Sequence, residues 1–110
     1  MDRELIVELI GSLESEINNG GFDQFFFNSA GDKTAETIAA LEAIGASHTA
    51  GLVRNAAAKF PGGMPPTNGD ERQELLSETV SPESDAFEED DAAFLEYRDD
   101  LESLAARYAG

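Results

Sequence analysis

The fold is decided by the stretch Asn18-Asn19-Gly20-Gly21-Phe22-Asp23-Gln24-Phe25-Phe26-Phe27-Asn28, which contains four of the seven phenylalanines. A double glycine cannot continue a helix cheaply, because glycine loses the most backbone entropy on ordering and readily adopts positive φ. The aromatic cluster that follows has to be buried. We therefore predict a corner, at which one helix ends, the chain reverses and a short aromatic segment enters the core.

The composition predicts one globular domain spanning residues 1–110. A chain of this length buries about two-thirds of its surface, which is enough for a core without covalent cross-links. It contains no cysteine, so disulfides and thiolate zinc sites are excluded. No apolar run approaches the roughly 20 residues of a membrane helix, and the N-terminus lacks the apolar segment of a signal peptide. We expect a soluble, cytoplasmic protein without a membrane partner.

The charge balance is the strongest compositional signal. Twenty-three acidic residues oppose seven basic ones, which gives a net charge of −16. Residues 61–110 hold fourteen of the acids and three of the bases. Such a chain repels nucleic acid and anionic lipid and attracts basic proteins over a distance. We expect a basic protein partner and no direct binding of nucleic acid; the alternative is that the acidity serves only solubility or tolerance of high salt.

Hydrophobic periodicity predicts four helices in the first half of the chain, at residues 3–18, 22–29, 33–44 and 48–60. The apolar face of the first is Leu5, Leu9, Leu13 and Ile17, with Ile6 and Ile10 beside them. The face of the second is Phe22, Phe25, Phe26 and Ser29. Asp32 is expected to cap the third helix, Gly45 to follow its last turn, and Ser47 to cap the fourth. The third and fourth helices then form an αα-hairpin.

A loop and a short helix are expected next. Three prolines and three glycines make residues 60–69 a loop. Asp70, with Gln73 three residues later, resembles a capping box. It predicts a short helix that ends near Glu78.

One long C-terminal helix is predicted from Ser81-Pro82 to Tyr108, because this dipeptide is a typical helix start. Its apolar stripe repeats every seven residues, at Phe87, Phe94, Leu101 and Tyr108. Since Asp90 falls inside the stripe, an alternative start or kink lies near residues 88–91. The predicted fold is all-α, a compact bundle of about five or six helices with a long acidic C-terminal helix.

The sequence shows no catalytic, cofactor or metal site. His48 is the one histidine. There is no Gly-x-Ser-x-Gly turn, and Gly62-Gly63 is followed by Met-Pro-Pro instead of the lysine of a phosphate-binding loop. We expect His48 to be a surface or cap residue and the protein not to be an enzyme.

The acidic face of the C-terminal helix is the candidate binding site for a partner. Residues 83–102 contain ten acids and one base. The acids opposite the apolar stripe on a helical wheel are Asp85, Glu89, Glu96, Asp99 and Asp100. Carboxylates one helical turn apart lie about 5–6 Å from each other, which is comparable to the phosphate spacing along a DNA strand. The alternative is an ordinary solvated face.

The opening stretch also carries a resemblance to a known family. Residues 16–32, with the run Asn-Asn-Gly-Gly-Phe-Asp-Gln-Phe-Phe, closely resemble the signature of a bacterial domain family. Its best-studied member is a dimeric, acidic, all-helical DNA mimic, and many other members have no known function. Further similarity lies in residues 40–46, in residues 56–61, and at Asp91, Phe94, Tyr97, Leu101 and Tyr108, so that it covers residues 5–108.

This resemblance implies a helical bundle whose acidic surface occupies the DNA-binding face of a transcription regulator or nucleoid protein. It also implies a homodimer. The residues of the signature are Asn18, Asn19, Gly20, Gly21, Phe22, Gln24, Phe25, Phe26 and Asn28, and we interpret them as structural. We expect their amide side chains to bond the backbone of the corner; the alternative is that they line a small polar pocket.

Overall fold

The computed structural model describes residues 1–108, which form six α-helices and no β-strand. The helices are α1 (Arg3–Phe27), α2 (Thr34–Ala43), α3 (Ser47–Ala57), α4 (Gly69–Leu75), α5 (Glu88–Leu95) and α6 (Leu101–Arg107). Turns of 3₁₀ helix cover Ser29–Lys33 and Pro61–Gly63, and a π-helical turn, Leu76–Val80, extends α4. The expected all-α bundle is confirmed. Within residues 1–108, every helix is too short or too polar to cross a bilayer.

The predicted corner is a break inside α1. Gly20 has φ −151° and Gly21 has φ +74° with ψ −170°, so the helical path stops and resumes at Phe22. The backbone N–H of Phe22 is free at this new helix start, and it donates to Asp91 Oδ1 at 2.8 Å. The corner therefore forms where glycine permits it, and a carboxylate from the C-terminal third of the chain caps it.

The aromatic segment after the corner forms the centre of the core. Phe22, Phe25 and Phe26 are fully buried. The ring of Phe26 packs against Phe60 at 5.0 Å and against Phe87 at 5.4 Å between centroids. Contacts of this kind join the corner to the end of α3 and to the segment before α5.

The first half of α1 buries one side against this core. Its buried residues are Ile6, Leu9, Ile10, Leu13 and Ile17. Leu5 was expected on this side but is 37% exposed, and Ser29 is also exposed. The predicted face is thus confirmed except at Leu5, since the other members of its repeat and the neighbouring Ile6 and Ile10 are buried.

The α2–α3 hairpin and the glycine after α2 are confirmed, but the predicted side-chain caps at the two helix starts are not. Gly45 has φ +83°, and the N–H of Ala46 donates to Leu41 O at 2.9 Å, as in a glycine-terminated helix. Neither helix has a side-chain cap from its own flanking residue. Asp32 pairs with Arg72 instead, and the N-cap position of α3 is Ala46 rather than Ser47.

The predicted capping box at α4 is wrong by two residues. Asn68 is the N-cap, and its Oδ1 accepts from the N–H of Glu71 at 2.9 Å. Gln73 reaches across to α1, where its Nε2 donates to Phe27 O at 2.8 Å. Asp70 consequently stays exposed.

The long C-terminal helix is divided in two. A turn occupies residues 82–87, α5 begins at Glu88 as the alternative start predicted, and the chain breaks again before α6. Tyr97 has φ +48° at this second break. Phe87, Phe94 and Leu101 are nevertheless buried, so the seven-residue stripe identified core positions, although Phe87 lies in the turn and the other two lie on separate helices.

Arg72 is an anchor that the sequence did not reveal. Its side chain is fully buried. Nε donates to Phe26 O at 2.6 Å, Nη2 to Asn28 O at 3.0 Å, and Nη1 to Pro66 O at 3.0 Å. Nη2 also lies 2.8 Å from the carboxylate of Asp32. One guanidinium therefore binds the carbonyls at the end of α1 and fixes α4 and the preceding loop to them.

Candidate acidic interaction surface

The densest exposed negative charge lies in residues 70–89. All eight acids of this segment are exposed: Asp70, Glu71, Glu74, Glu78, Glu83, Asp85, Glu88 and Glu89. We call these eight side chains the acidic surface. The single base within the segment is Arg72, whose charge is buried and paired. The segment thus presents eight carboxylates to solvent, and the nearby Lys59 pairs with Asp90 outside it.

The first half of this surface is built on α4. Asp70, Glu74 and Glu78 follow one another at four-residue intervals, along α4 and into the π-helical turn. Helical neighbours at this spacing lie about 5–6 Å apart. The opposite side of α4 is fixed by Arg72 and Gln73, so the carboxylates stand on an anchored element.

This part of the surface was missed by the sequence analysis. Asp70 was assigned to a cap, and the burial of Arg72 was not anticipated. Arginine is almost never fully buried unless it is paired, and its partner Asp32 lies forty residues away. The available signal was the count of four acids in residues 70–78.

The five acids predicted to bind a partner do not share one helix face. Asp85 lies in the turn before α5, Glu89 in the first turn of α5, and Glu96 at its C-cap; all three are exposed. Asp99 and Asp100 lie beyond the break, in the link to α6. The continuous row expected from a single helix is therefore absent in residues 83–102, and Asp85 and Glu89 remain as members of the acidic surface.

Asp99 has a structural role at the start of α3. Its Oδ2 accepts from the N–H of Thr49 at 2.8 Å and from the Thr49 hydroxyl at 2.9 Å. It is half-buried. This carboxylate supplies the helix cap that Ser47 was expected to provide. The unpaired N–H groups at the start of a helix donate to whichever acceptor the fold brings close to them.

Asp100 is the N-cap of α6. It accepts from the backbone N–H of Ser103 at 3.1 Å and from the Ser103 hydroxyl at 2.8 Å. These bonds lower the pKa of Asp100 from its ordinary value, the backbone bond having the larger effect. The carboxylate itself stays exposed.

Two further acids of α5 hold this helix to the rest of the fold. Asp90 Oδ2 lies 2.6 Å from Lys59 Nζ, which also lies over the ring of Phe87 at 5.1 Å. Asp91 caps the corner at Phe22. Burial raises the pKa of Asp91; the Phe22 bond opposes this shift, and the charge of the neighbouring Asp23 adds to it.

The two shifted aspartates should change stability with pH in opposite directions. The raised pKa of Asp91 means that its contribution to the free energy of unfolding is complete below pH 3.8 and is lost as pH rises through the folded-state pKa. The lowered pKa of Asp100 means that its contribution is present above pH 3.8 and is lost as pH falls. Urea unfolding of the wild type, Asp91→Asn and Asp100→Asn at a series of pH values on either side of pH 3.8 measures the two contributions.

Relative to Asp91→Asn, the wild type should gain stability as pH falls; relative to Asp100→Asn, it should lose stability. Asparagine keeps one acceptor oxygen for the backbone N–H in both variants. Any hydrogen-bond loss that does not depend on pH shifts a whole profile, so the slope of each profile reports the charge. Parallel pH profiles for the two variants would contradict the opposite shifts.

The signature amides bond mostly to other side chains. Asn18 Nδ2 donates to Glu14 O and to the Tyr97 hydroxyl, both at 2.8 Å. Asn19 donates to Gln24 Oε1 at 3.1 Å, and Asn28 to Glu16 Oε2 at 2.8 Å. The expected bonding to backbone is thus found for Asn18, while the others fasten neighbouring side chains around the corner.

His48 lies half-buried in the first turn of α3, not on the open surface. Its Nε2 is buried and has no hydrogen-bond partner in the described part of the chain. Across residues 1–108, no three His, Cys, Asp or Glu side chains are grouped as metal ligands would be.

Two grooves flank α1. One, of 660 Å³, lies between α1, the Ser29–Lys33 turn and α2, and is lined by polar and small residues that include Ser12, Ser15 and Thr37. The other, of 380 Å³, lies between α1 and α6, and we call it the α1–α6 groove. Its lining residues are Arg3, Val7, Ile10, Gly11, Glu14, Leu101, Glu102, Ala105 and Ala106.

Comparison with known proteins identifies the family. The sequence matches the DMP19-like protein family over residues 2–109, which is nearly the whole chain. No curated protein and no solved structure matches it. The match includes the corner, α4 and the acidic surface, and it agrees with the resemblance to a DNA-mimic family seen in the sequence. The chain therefore belongs to the DMP19-like protein family.

Proposed function

We propose that this protein is a non-enzymatic DNA mimic that binds the DNA-binding face of a basic transcription regulator or nucleoid protein through its acidic surface. The observation that carries the proposal is the exposure of eight carboxylates in residues 70–89 while the one base between them is buried. Membership of the DMP19-like family supports it.

The spacing of these carboxylates suits a protein that normally binds phosphates. Neighbouring acidic residues along α4 lie about 5–6 Å apart. Phosphates of one DNA strand are separated by about 3.4 Å of axial rise together with the lateral displacement of the spiral, which makes the two spacings comparable. The net charge of −16 extends the attraction beyond direct contacts. Because such attraction acts between exposed groups, it should weaken as the Debye length falls to about 10 Å at 0.1 M salt.

Neutralising the acidic surface should weaken binding. The test variant is Glu74→Gln/Glu78→Gln/Glu89→Gln, and its control is Glu4→Gln/Glu8→Gln/Glu36→Gln, which removes the same charge from exposed positions elsewhere. At about 0.2–1 kcal/mol for each exposed pair, we expect about a tenfold loss of affinity for the test variant at low salt.

The measurement is competition with a fluorescent duplex for a panel of helix-turn-helix repressors and nucleoid proteins, at increasing salt. The wild type should displace the duplex from its partner, and the control variant should do so nearly as well. Equal losses in both variants would show that only total charge matters. If the wild type displaced DNA from no member of the panel at low salt, the alternative that the acidity serves only solubility or tolerance of high salt would be favoured.

We also propose that two copies associate, as the resemblance implies. Light scattering of the wild type at several concentrations tests this association. A monomer at all concentrations would contradict it without affecting the competition experiment.

A further inference from the structure

The α1–α6 groove has an apolar floor that no other described segment covers. Ile10 and Leu101 belong to the core, while Val7 at the edge of the groove is 52% exposed. Small residues keep the groove open: a Cβ added at Gly11 would have no heavy atom within 4 Å, and α6 contributes Ala105 and Ala106. An apolar side chain from another molecule therefore has space here.

The rim of the groove is mainly acidic. Glu14 on α1 and Glu102 on α6 face it from opposite helices. Arg3, the one base among its lining residues, donates to Ala106 O at 3.2 Å and so lies across one end. A ligand that fits has apolar groups for the floor and positive charge for the rim.

We propose that the α1–α6 groove binds an amphipathic helix of the basic partner, with apolar side chains on the floor and Lys or Arg beside Glu14 and Glu102. This inference rests on the proposed function, and it adds a second, partly apolar contact to the acidic surface. A helix is the fitting occupant because an apolar groove accepts the i, i+3, i+4, i+7 face of a helix, whereas a β-strand needs a free sheet edge and a polyproline peptide needs an aromatic-lined groove. No aromatic side chain of the described residues lines the α1–α6 groove. No sheet exists in residues 1–108.

The test uses synthetic peptides and the full-length protein. One peptide of about 18 residues, or five helical turns, carries leucine at helical spacing and lysine beside it; a second has the same composition in scrambled order. Fluorescence anisotropy should give at least tenfold tighter binding of the helical peptide. Its NMR shift changes should centre on the methyl groups of Ile10 and Leu101.

Variants that fill the groove supply the matched comparison. Ala106→Leu places a side chain in the α1–α6 groove alone, and Gly11→Leu places one between the two grooves, both of which Gly11 lines. Each variant should weaken binding of the helical peptide at least tenfold. Ser12→Leu lies one residue along α1, lines only the other groove, and should leave binding unchanged. Thermal unfolding shows that each variant is folded; leucine in place of a helical glycine favours the helix.

Equal binding of the two peptides would overturn the inference, since charge alone would then explain both. So would binding that survives Gly11→Leu and Ala106→Leu, or a second copy of the chain that occupies the groove. If the groove variants still displace DNA from a regulator while Glu74→Gln/Glu78→Gln/Glu89→Gln does not, the proposed function stands and the groove proposal fails. If the helical peptide binds in the groove but no regulator binds, the proposed function fails instead.

Discussion

Replacement of Arg72 by methionine should lower the free energy of unfolding by about 2–4 kcal/mol, because hydrogen bonds from a charged donor are lost and a buried carbonyl is left unpaired. Methionine has a similar length but no donors, so the buried carbonyl of Phe26 loses its partner, while the carbonyl of Asn28 keeps only its bond from the Gly31 N–H. Asp32 loses its cation at the same time. Urea unfolding followed by circular dichroism measures the change, and the smaller volume of a thioether adds little to it.

Arg54→Met is the matched control for this variant. Arg54 pairs with Glu42, but both side chains are about half exposed, at 48% and 54%. An exposed pair contributes about 0–1 kcal/mol, so the control should remain close to the wild type. A loss below about 1 kcal/mol for Arg72→Met would mean that the anchor contributes no more than a surface pair.

The second large effect is expected for Gly21→Ala. At φ +74° and ψ −170°, an alanine would be held in a region that is essentially restricted to glycine, at a cost of about 1–3 kcal/mol. Its Cβ would also lie 2.3 Å from Asp91 Oδ2, so the cap on Phe22 would have to move. Losing this cap adds about 1 kcal/mol. The sum, about 2–4 kcal/mol, is measurable by the same urea unfolding.

Gly11→Ala is the control within the same helix. Its added Cβ would meet no heavy atom within 4 Å, and its backbone is helical. Alanine is favoured over glycine in a helix by about 1 kcal/mol, so this variant should be stabilised. If both variants changed stability by the same amount, neither the left-handed backbone nor the contact with Asp91 would be needed to explain the corner.

Features that depend on neighbouring residues could be predicted from the sequence. The corner follows from two adjacent glycines, because few other residues adopt the backbone of Gly21. The hairpin follows from Gly45 at the end of an alanine-rich helix. The buried faces of α1 and of the aromatic segment follow from helical periodicity.

Features that join distant residues could not be predicted in this way. Two helix starts are capped by tertiary contacts: Asp99 caps α3 fifty residues after Thr49, and Asp91 caps the corner. The unpaired N–H groups at a helix start can donate to any nearby acceptor, so their partner depends on the whole fold. The inward orientation of Arg72 is unpredictable for the same reason.

The candidate site was predicted in part. Asp85 and Glu89 lie on the acidic surface, but Asp99 was assigned to an outer face that does not exist, since the helix breaks near Tyr97. A seven-residue repeat of apolar residues cannot reveal such a break, because Phe94 on α5 and Leu101 on α6 are both buried and still seven residues apart. The acids of α4 were missed because charge was counted along the chain without knowing which charges are buried.

The division of the carboxylates into two groups bears on how this family can diverge. Asp32, Asp90, Asp91 and Asp99 pair with or cap other parts of the chain, so replacing them destabilises the protein. Glu74, Glu78 and Glu83 contact nothing that the fold requires and can drift freely. Relatives can therefore inherit the architecture yet lose or exchange their targets by surface drift alone. A sequence signature built on the corner will group proteins by ancestry, whereas the proposed function predicts that the exposed positions of residues 70–89 separate them by partner.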